Sequence, residues 1–276
     1  HTQFFHLSDG QATVVLSHEN LKWEIQAEQS ACRKSDLNPA PAHFSLSVLL
    51  DRYQNDAPQS LPLGKYDIVF GTAAIADMLN VMNWIGFSGG SMKRGFSMIA
   101  EEKIGQKVLS EKISLVDDPS LVETYPFHRD MMGMSRQRFP IFNKGAFTGF
   151  TWYQDDADEF GAKPTGHTVM HKSLSLQGGD KNLDSLDQLI NMPRETDLLY
   201  IPFLHYMNIV NPSRGTITAS SRFGALYLKK DGAVVIPYNV RVTQSLLDIF
   251  GDKVAWLSKQ TEAYNTSVSY GPRNPT

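Results

Sequence analysis

The stretch "YDIVFGTAAIADMLNVMNWIGF" (66–87) changes its hydrophobic period within a few residues. "YDIVF" (66–70) is a short apolar run with β-branched and aromatic members, the pattern of a buried strand. Beyond Gly71, Ile75, Met78, Leu79, Met82 and Ile85 fall on one face of a helix. Thr72 is placed to cap that helix and Gly86 to end it. A strand running directly into an amphipathic helix predicts a mixed fold, and the flanking sequence sets the proportions.

Upstream, "ATVVL" (12–16) and "LKWEIQAE" (21–28) flank the turn "SHEN" and predict a hairpin. In its second arm Leu21, Trp23, Ile25 and Ala27 alternate with polar residues. "HFSLSVLL" (43–50) repeats that alternation through Phe44, Leu46 and Val48 and reads as another strand, between loops at 33–42 and 56–64. Downstream, Ile113 and Leu115 lead a strand that stops at Asp117-Asp118-Pro119. "KGAFTGFTW" (144–152) reads as a strand and "YQDDADEFG" (153–161) as a short acidic helix stopped by Gly161. "ALYLKKDGAVVIP" (225–237) predicts a hairpin across Asp231-Gly232. "TQSLLDIFG" (243–251) predicts a short helix capped by Thr243, and "VAWLS" (254–258) a last strand. The fold class is α+β: strand-rich, with antiparallel sheets and a few short helices.

Composition narrows the function classes. With 276 residues, 41% of them hydrophobic, the chain can bury one sizeable core or two smaller ones. The net charge is -3 and no basic run exceeds two residues, which gives no electrostatic case for a nucleic-acid surface. No apolar run approaches the roughly 20 residues of a membrane helix. The chain begins at His1 and shows no signal peptide. A single cysteine, Cys32, leaves no internal disulfide and no paired-cysteine metal site. These features fit a soluble, cytoplasmic protein.

The segments "IGQKV" and "ISLVDDP" within 104–119, "FNKGAFTGFTWYQDDADEFGAKPTGH" (142–167) and the long block "HYMNIVNPSRG…DKVAWLS" (205–258) stand in a distinctive order. In that order and spacing the chain resembles the C-terminal domain of the TldD/PmbA proteins from about residue 66 to 258. The resemblance implies residues 61–276 as a domain of that type. Residues 1–60 would then be a strand-rich segment left from the family's N-terminal or central region. It also implies two possible roles. TldD-type members resemble metallopeptidases and carry H-E-x-x-x-H on the helix before "IGQKV", with a late cysteine ligand. PmbA-type (TldE) members keep the fold without those ligands and pair with a partner. Zinc hydrolysis needs about three protein ligands, an open position for water and a nearby carboxylate as base.

At the motif's place this chain has "MNWIGF" (82–87). Met82 stands for the first histidine, Asn83 for the glutamate and Phe87 for the second histidine. None of these can hold a hydrolytic zinc, and Asn83 cannot act as a base. The only cysteine, Cys32, lies upstream of the helix. The expectation is therefore a PmbA-like subunit with no catalytic residue, no metal and no cofactor. It would bind an extended peptide by strand addition to a sheet edge, and would pair with itself or with a TldD-like subunit. Two alternatives stay open. One is an active metallopeptidase with unconventional zinc ligands, drawn from His167, His171 and the acids Asp155, Asp156, Asp158 and Glu159; the other is a purely structural homodimer.

Several further residues have a chemical and a plain reading. His167 and His171 would face one metal if helical, but on a strand they lie about 13 Å apart. Thr165-Gly166-His167 resembles a Thr-Gly-Asn segment near the family's substrate groove, so Thr165, Gly166, His167 and His171 are candidates to face a peptide. The acids of 155–159 read more simply as a solvated helix face. His18-Glu19 reads as a turn, since Lys22 and Trp23 stand where a second histidine would be needed. Ser135 and Ser213 lack a nucleophile-elbow context. Gly89-Gly90-Ser91 reads as a flexible loop, and Met131, Met132 and Met134 as packing residues or an adaptable apolar surface.

Overall fold

The computed structural model describes residues 10–20, 22–31, 34–124, 128–130, 132–167, 173–264 and 266. The hairpin β1 (Gly10–His18) and β2 (Trp23–Ala31) pairs antiparallel from Gly10↔Ala31 to His18↔Trp23. α1 (Ala40–Tyr53), β3 (Asp67–Phe70), α2 (Thr72–Ile85) and the short α3 (Gly89–Lys93) follow. Next come β4 (Leu115–Asp117), β5 (Phe139–Asn143), β6 (Ala146–Phe147), α4 (Gln154–Phe160) and β7 (Leu174–Leu176). α5 (Leu186–Asn191) precedes β8 (Leu198–Ile201), β9 (Phe203–Asn211) and β10 (Thr216–Arg222). β11 (Leu226–Leu228), β12 (Val234–Val235), β13 (Arg241–Ser245) and α6 (Leu246–Ile249) complete the order.

Three larger sheets run β6-β5-β4-β7, β12-β11-β8-β3 and β13-β10-β9. Their pairings are antiparallel except for β3 on β8, which run parallel from Asp67↔Leu198 to Phe70↔Ile201. β3, β7 and β13 are each the last strand of their sheet, with one side unpaired among the described residues.

Two apolar clusters hold these layers. The larger one gathers Met78, Met82 and Ile85 of α2 with Leu115, Ile141 and Phe142 of one sheet and Ile217 and Ala219 of another. The smaller one joins Trp23 and Ile25 of β2 and Leu46, Leu49 and Tyr53 of α1 to Leu186 and Leu189 of α5 and Leu226 and Leu228 of β11. Residues on both sides of position 60 therefore share this second core. Burying such side chains is the main favourable term for each cluster.

The structure departs from the sequence reading at several elements. Residues 43–50 are helical, within α1. Leu46, Leu49 and Tyr53 are its buried residues, at helical intervals, while Phe44 is 49% exposed. Pro39 and Pro41 start the helix without needing a backbone donor there. α6 begins only at Leu246, capped by Ser245, because Thr243 is used in β13. In 144–152 only Ala146–Phe147 is a strand, with an isolated bridge from Thr151 to Ser88. Residues 254–258 form no strand beyond a bridge between Ser258 and Lys181. α2 starts as read, but Gly71 is its N-cap and no side chain caps it.

Candidate functional site

α2 presents the positions of the metal motif to the core. Met82 and Phe87 are 0% exposed and Asn83 is 3% exposed. Met82 packs in the same cluster as Met78, Ile85 and Phe87. A thioether, an amide and a phenyl ring do not fit a hydrolytic zinc, and no described group of three His, Cys, Asp or Glu side chains is placed to hold a metal. Cys32 and His171 lie outside the described residues.

The chain leaving α2 is fastened to residues 151–152. Thr151 N and Oγ1 both donate to Phe87 O, at 2.8 and 3.0 Å, and Gly89 N donates to Thr151 O at 2.9 Å. Gly89-Gly90-Ser91 is therefore not a loop but the start of α3, with Ser88 accepting from Ser91 N. A Cβ on Gly89 would sit 2.3 Å from the Trp152 ring, and one on Gly90 would sit 2.0 Å from Asp156, so the close approach requires glycine there.

Thr165, Gly166 and His167 turn inward. Thr165 Oγ1 accepts from Trp152 N at 2.7 Å, and Thr165 N donates to Trp152 O at 3.1 Å. Gly166 has φ +73°, and a Cβ there would lie 2.5 Å from Ser135 O. His167 is 2% exposed, stacks edge-on against Phe139 and places Nε2 3.1 Å from Asp117 Oδ2. That contact does not have the geometry of a hydrogen bond. Asp117, fully buried, also accepts from Arg136 Nη2 at 2.8 and 3.0 Å and from Ser173 N at 2.6 Å. One carboxylate thus joins β4, the segment before β5, and the two residues that flank 168–172.

Asp117 and Arg136 were not singled out in the sequence, though a signal existed. Ile113, Leu115 and Asp117 stand at i, i+2 and i+4 of a strand, so Asp117 shares their inward face. The α4 acids divide: Asp156 and Glu159 both pair with Arg94 of the α3 C-cap, and Asp158 accepts from Gln154. Met132 is 51% exposed, and Met131 lies outside the described residues.

A groove of about 2550 Å³ runs beside this core. The unpaired edges of β3, β7 and β13 all line it, together with Ile75, Ala76 and Leu79 of α2 and Leu247 and Ile249 of α6. Residues of three terminal strands therefore line one groove whose walls mix apolar side chains with charged ones such as Lys181, Arg194 and Arg241. Glu28 of β2, Asp77 of α2 and Tyr264 form a cluster, the last two adjacent in sequence to the lining residues Ala76 and Ala263. Burial, with Glu28 beside it, pushes the Asp77 carboxyl up to about 7. Burial and the two carboxylates hold the Tyr264 hydroxyl, which bonds to Glu28, far above the usual phenol range.

Comparison with known proteins gives a consistent picture of the fold. Residues 63–272 match the family model described as the PmbA/TldA metallopeptidase C-terminal domain. The chain is similar to TldE from Thermococcus kodakarensis, with TM-score 0.72 and 18% identity, over 96% of this chain and 60% of that one. It is also similar to a Thermotoga maritima protein described as a candidate modulator of DNA gyrase, with TM-score 0.70 and 18% identity, over 97% of this chain and 60% of that one. A Bacteroides thetaiotaomicron protein with the same description matches at TM-score 0.68 and 21% identity, over 88% and 53% of the two chains. The chain thus spans no more than 60% of the length of these structures. No curated protein matches it.

Proposed function

The chain belongs to the PmbA/TldD family, and from that premise we propose that it is a non-metal, PmbA-like subunit that holds peptides in extended form. The observation that carries this reading is the convergence of three unpaired sheet edges on one groove. A peptide added to such an edge is held by main-chain hydrogen bonds, which demand an extended backbone and no particular sequence. The buried Met82 and Phe87 support the non-metal part, because they fill with hydrocarbon the positions that zinc ligands occupy in the family's catalytic motif.

The partner in this reading is a second copy or a TldD-like subunit that supplies the hydrolytic centre. A chain with one cysteine suits a reducing compartment such as the cytoplasm. No described helix is long and apolar enough to cross a membrane.

The test is peptide binding by fluorescence anisotropy, comparing a proline-free peptide with its backbone N-methylated form. Strand addition requires the N-methylated form to bind far more weakly, and equal affinity would exclude it. Elemental analysis of chain purified without chelator is expected to show no stoichiometric zinc. One zinc per chain, lost on His167→Ala, would instead favour a peptidase with unconventional ligands. Sedimentation should show a dimer, alone or with the TldD-like subunit; a monomer under both conditions would remove the partner from the proposal.

A further inference from the structure

The segment after α6 lines the groove and is bonded just beyond two of its strands. On one side, just beyond the edge strand β7, Gly179 N donates to Ser258 O at 2.8 Å and Lys181 N to Leu257 O at 3.2 Å. Lys259 N returns a bond to Lys181 O at 2.8 Å. Gly178 and Gly179 permit this approach: a Cβ on either would lie 2.5 or 2.6 Å from the carbonyls of Lys259 or Leu257. On the other side, just beyond the edge strand β3, Thr72 Oγ1 lies 3.5 Å from Glu262 Oε2. There Tyr264 bonds to Glu28 beside Asp77.

Between these fastenings, Gln260, Thr261, Glu262 and Ala263 line the groove. Among the described residues, 260–263 make no backbone–backbone hydrogen bond, and Gln260 O accepts from Ser258 Oγ at 3.0 Å. The segment therefore has two anchors and a loosely held span, and the span runs between the ends of two strand edges that open on the channel.

We propose that residues 259–264 form a strap over the groove that must lift for an extended peptide to seat, with the Tyr264–Glu28 contact beside Asp77 as its latch. The proposal rests on the groove being the peptide site. The anchor at Gly178–Lys181 is a hinge that stays fastened, because it uses backbone bonds on both partners. The contacts named at the latch end, Thr72–Glu262 and Tyr264–Glu28, are made by side chains and not by paired backbone bonds.

The experiment uses the full chain and two variants. Tyr264→Phe removes the hydroxyl that reaches Glu28, a bond to a charged group whose loss corresponds to roughly a tenfold change in an equilibrium. Amide exchange over 259–264 should rise by about that factor, and a fluorescein-labelled, proline-free peptide should bind more tightly. In the second variant, Thr72→Cys and Glu262→Cys on a Cys32→Ser background are joined by a short bis-maleimide. The joined chain should lose peptide binding, while the same variant capped with a monofunctional maleimide keeps it. Unchanged exchange in Tyr264→Phe would overturn the latch. Raised exchange with equal peptide affinity in the joined and capped forms would overturn the gate. If exchange rises but no form binds peptide, the groove reading itself fails and takes the gate with it, while the latch contact stands.

Discussion

Met82 stands at the place of the first histidine of the family's motif and packs as a core residue. It is fully buried among Met78, Leu79, Ile85 and Phe87. Met82→Ala should cost about 2–5 kcal/mol in chemical denaturation, as a buried large-to-small change. Writing the motif back as Met82→His, Asn83→Glu and Phe87→His should lower the unfolding temperature and yield no cleavage of casein with added zinc. The new polar groups would enter a packed interior without partners, and the late cysteine ligand and the shell that orients ligating histidines would still be missing. A triple variant as stable as the parent would contradict that packing argument. Asp117 has the opposite character, since its neighbours are a cation, a histidine and a backbone donor. Asp117→Asn should cost about 3–5 kcal/mol by leaving Arg136 buried without its counter-charge. Adding Arg136→Met should recover part of that loss in the same assay.

Asp77 gives a pH-dependent prediction at this scale. Its carboxyl is raised from the ordinary carboxylate value of 3.8 to about 7 in the folded chain. Between those two values the folded state binds more protons than the unfolded one, so stability falls as pH rises through this window. The Asp77→Asn variant lacks this term. Its advantage over the parent should grow from about pH 4 to about pH 7 and level off above that. Thermal melts at a series of pH values would show it, and a constant difference across the series would refute the raised carboxyl.

Among the elements, the α2–α3 corner is the most demanding. Gly89→Ala would push a methyl into the Trp152 ring, at the point where backbone bonds zip residues 87–89 to 151. It should therefore destabilise on balance, outweighing the roughly 1 kcal/mol that a helix position gains from alanine over glycine. A double-mutant cycle with Trp152→Leu should show a coupling that offsets part of the loss.

Most elements with a strong period were readable beforehand. α2, β3, the first hairpin, the hairpin across Asp231-Gly232 and α4 stopping at left-handed Gly161 all stand where the residues indicated. α1 was misread because Phe44, Leu46 and Val48 alternate, yet burial follows Leu46, Leu49 and Tyr53. Only contact with β2 and α5 decides between those patterns. The substituted motif was legible because it is local. The Asp117–Arg136–His167 cluster was not, since its members lie 19 and 50 residues from Asp117 along the chain and meet only through tertiary packing. Gly89 was read as flexible because its constraint, a tryptophan ring from residue 152, is likewise distant in sequence.

For the whole molecule, two cores and three edges describe the design. The sheets are short, and each contributes one terminal strand to the groove's lining. An unpaired edge is ordinarily a liability, because a second folded sheet can dock onto it and start an aggregate. Here β3, β7 and β13 all line one groove. On the proposed reading the groove takes a lone extended strand and excludes another folded sheet. It then acts as a size filter on self-association. In storage the chain should stay clear at concentrations where a variant with a widened channel turns turbid, and the same geometry would make it a tolerant host for unfolded tails of other proteins in a crowded preparation.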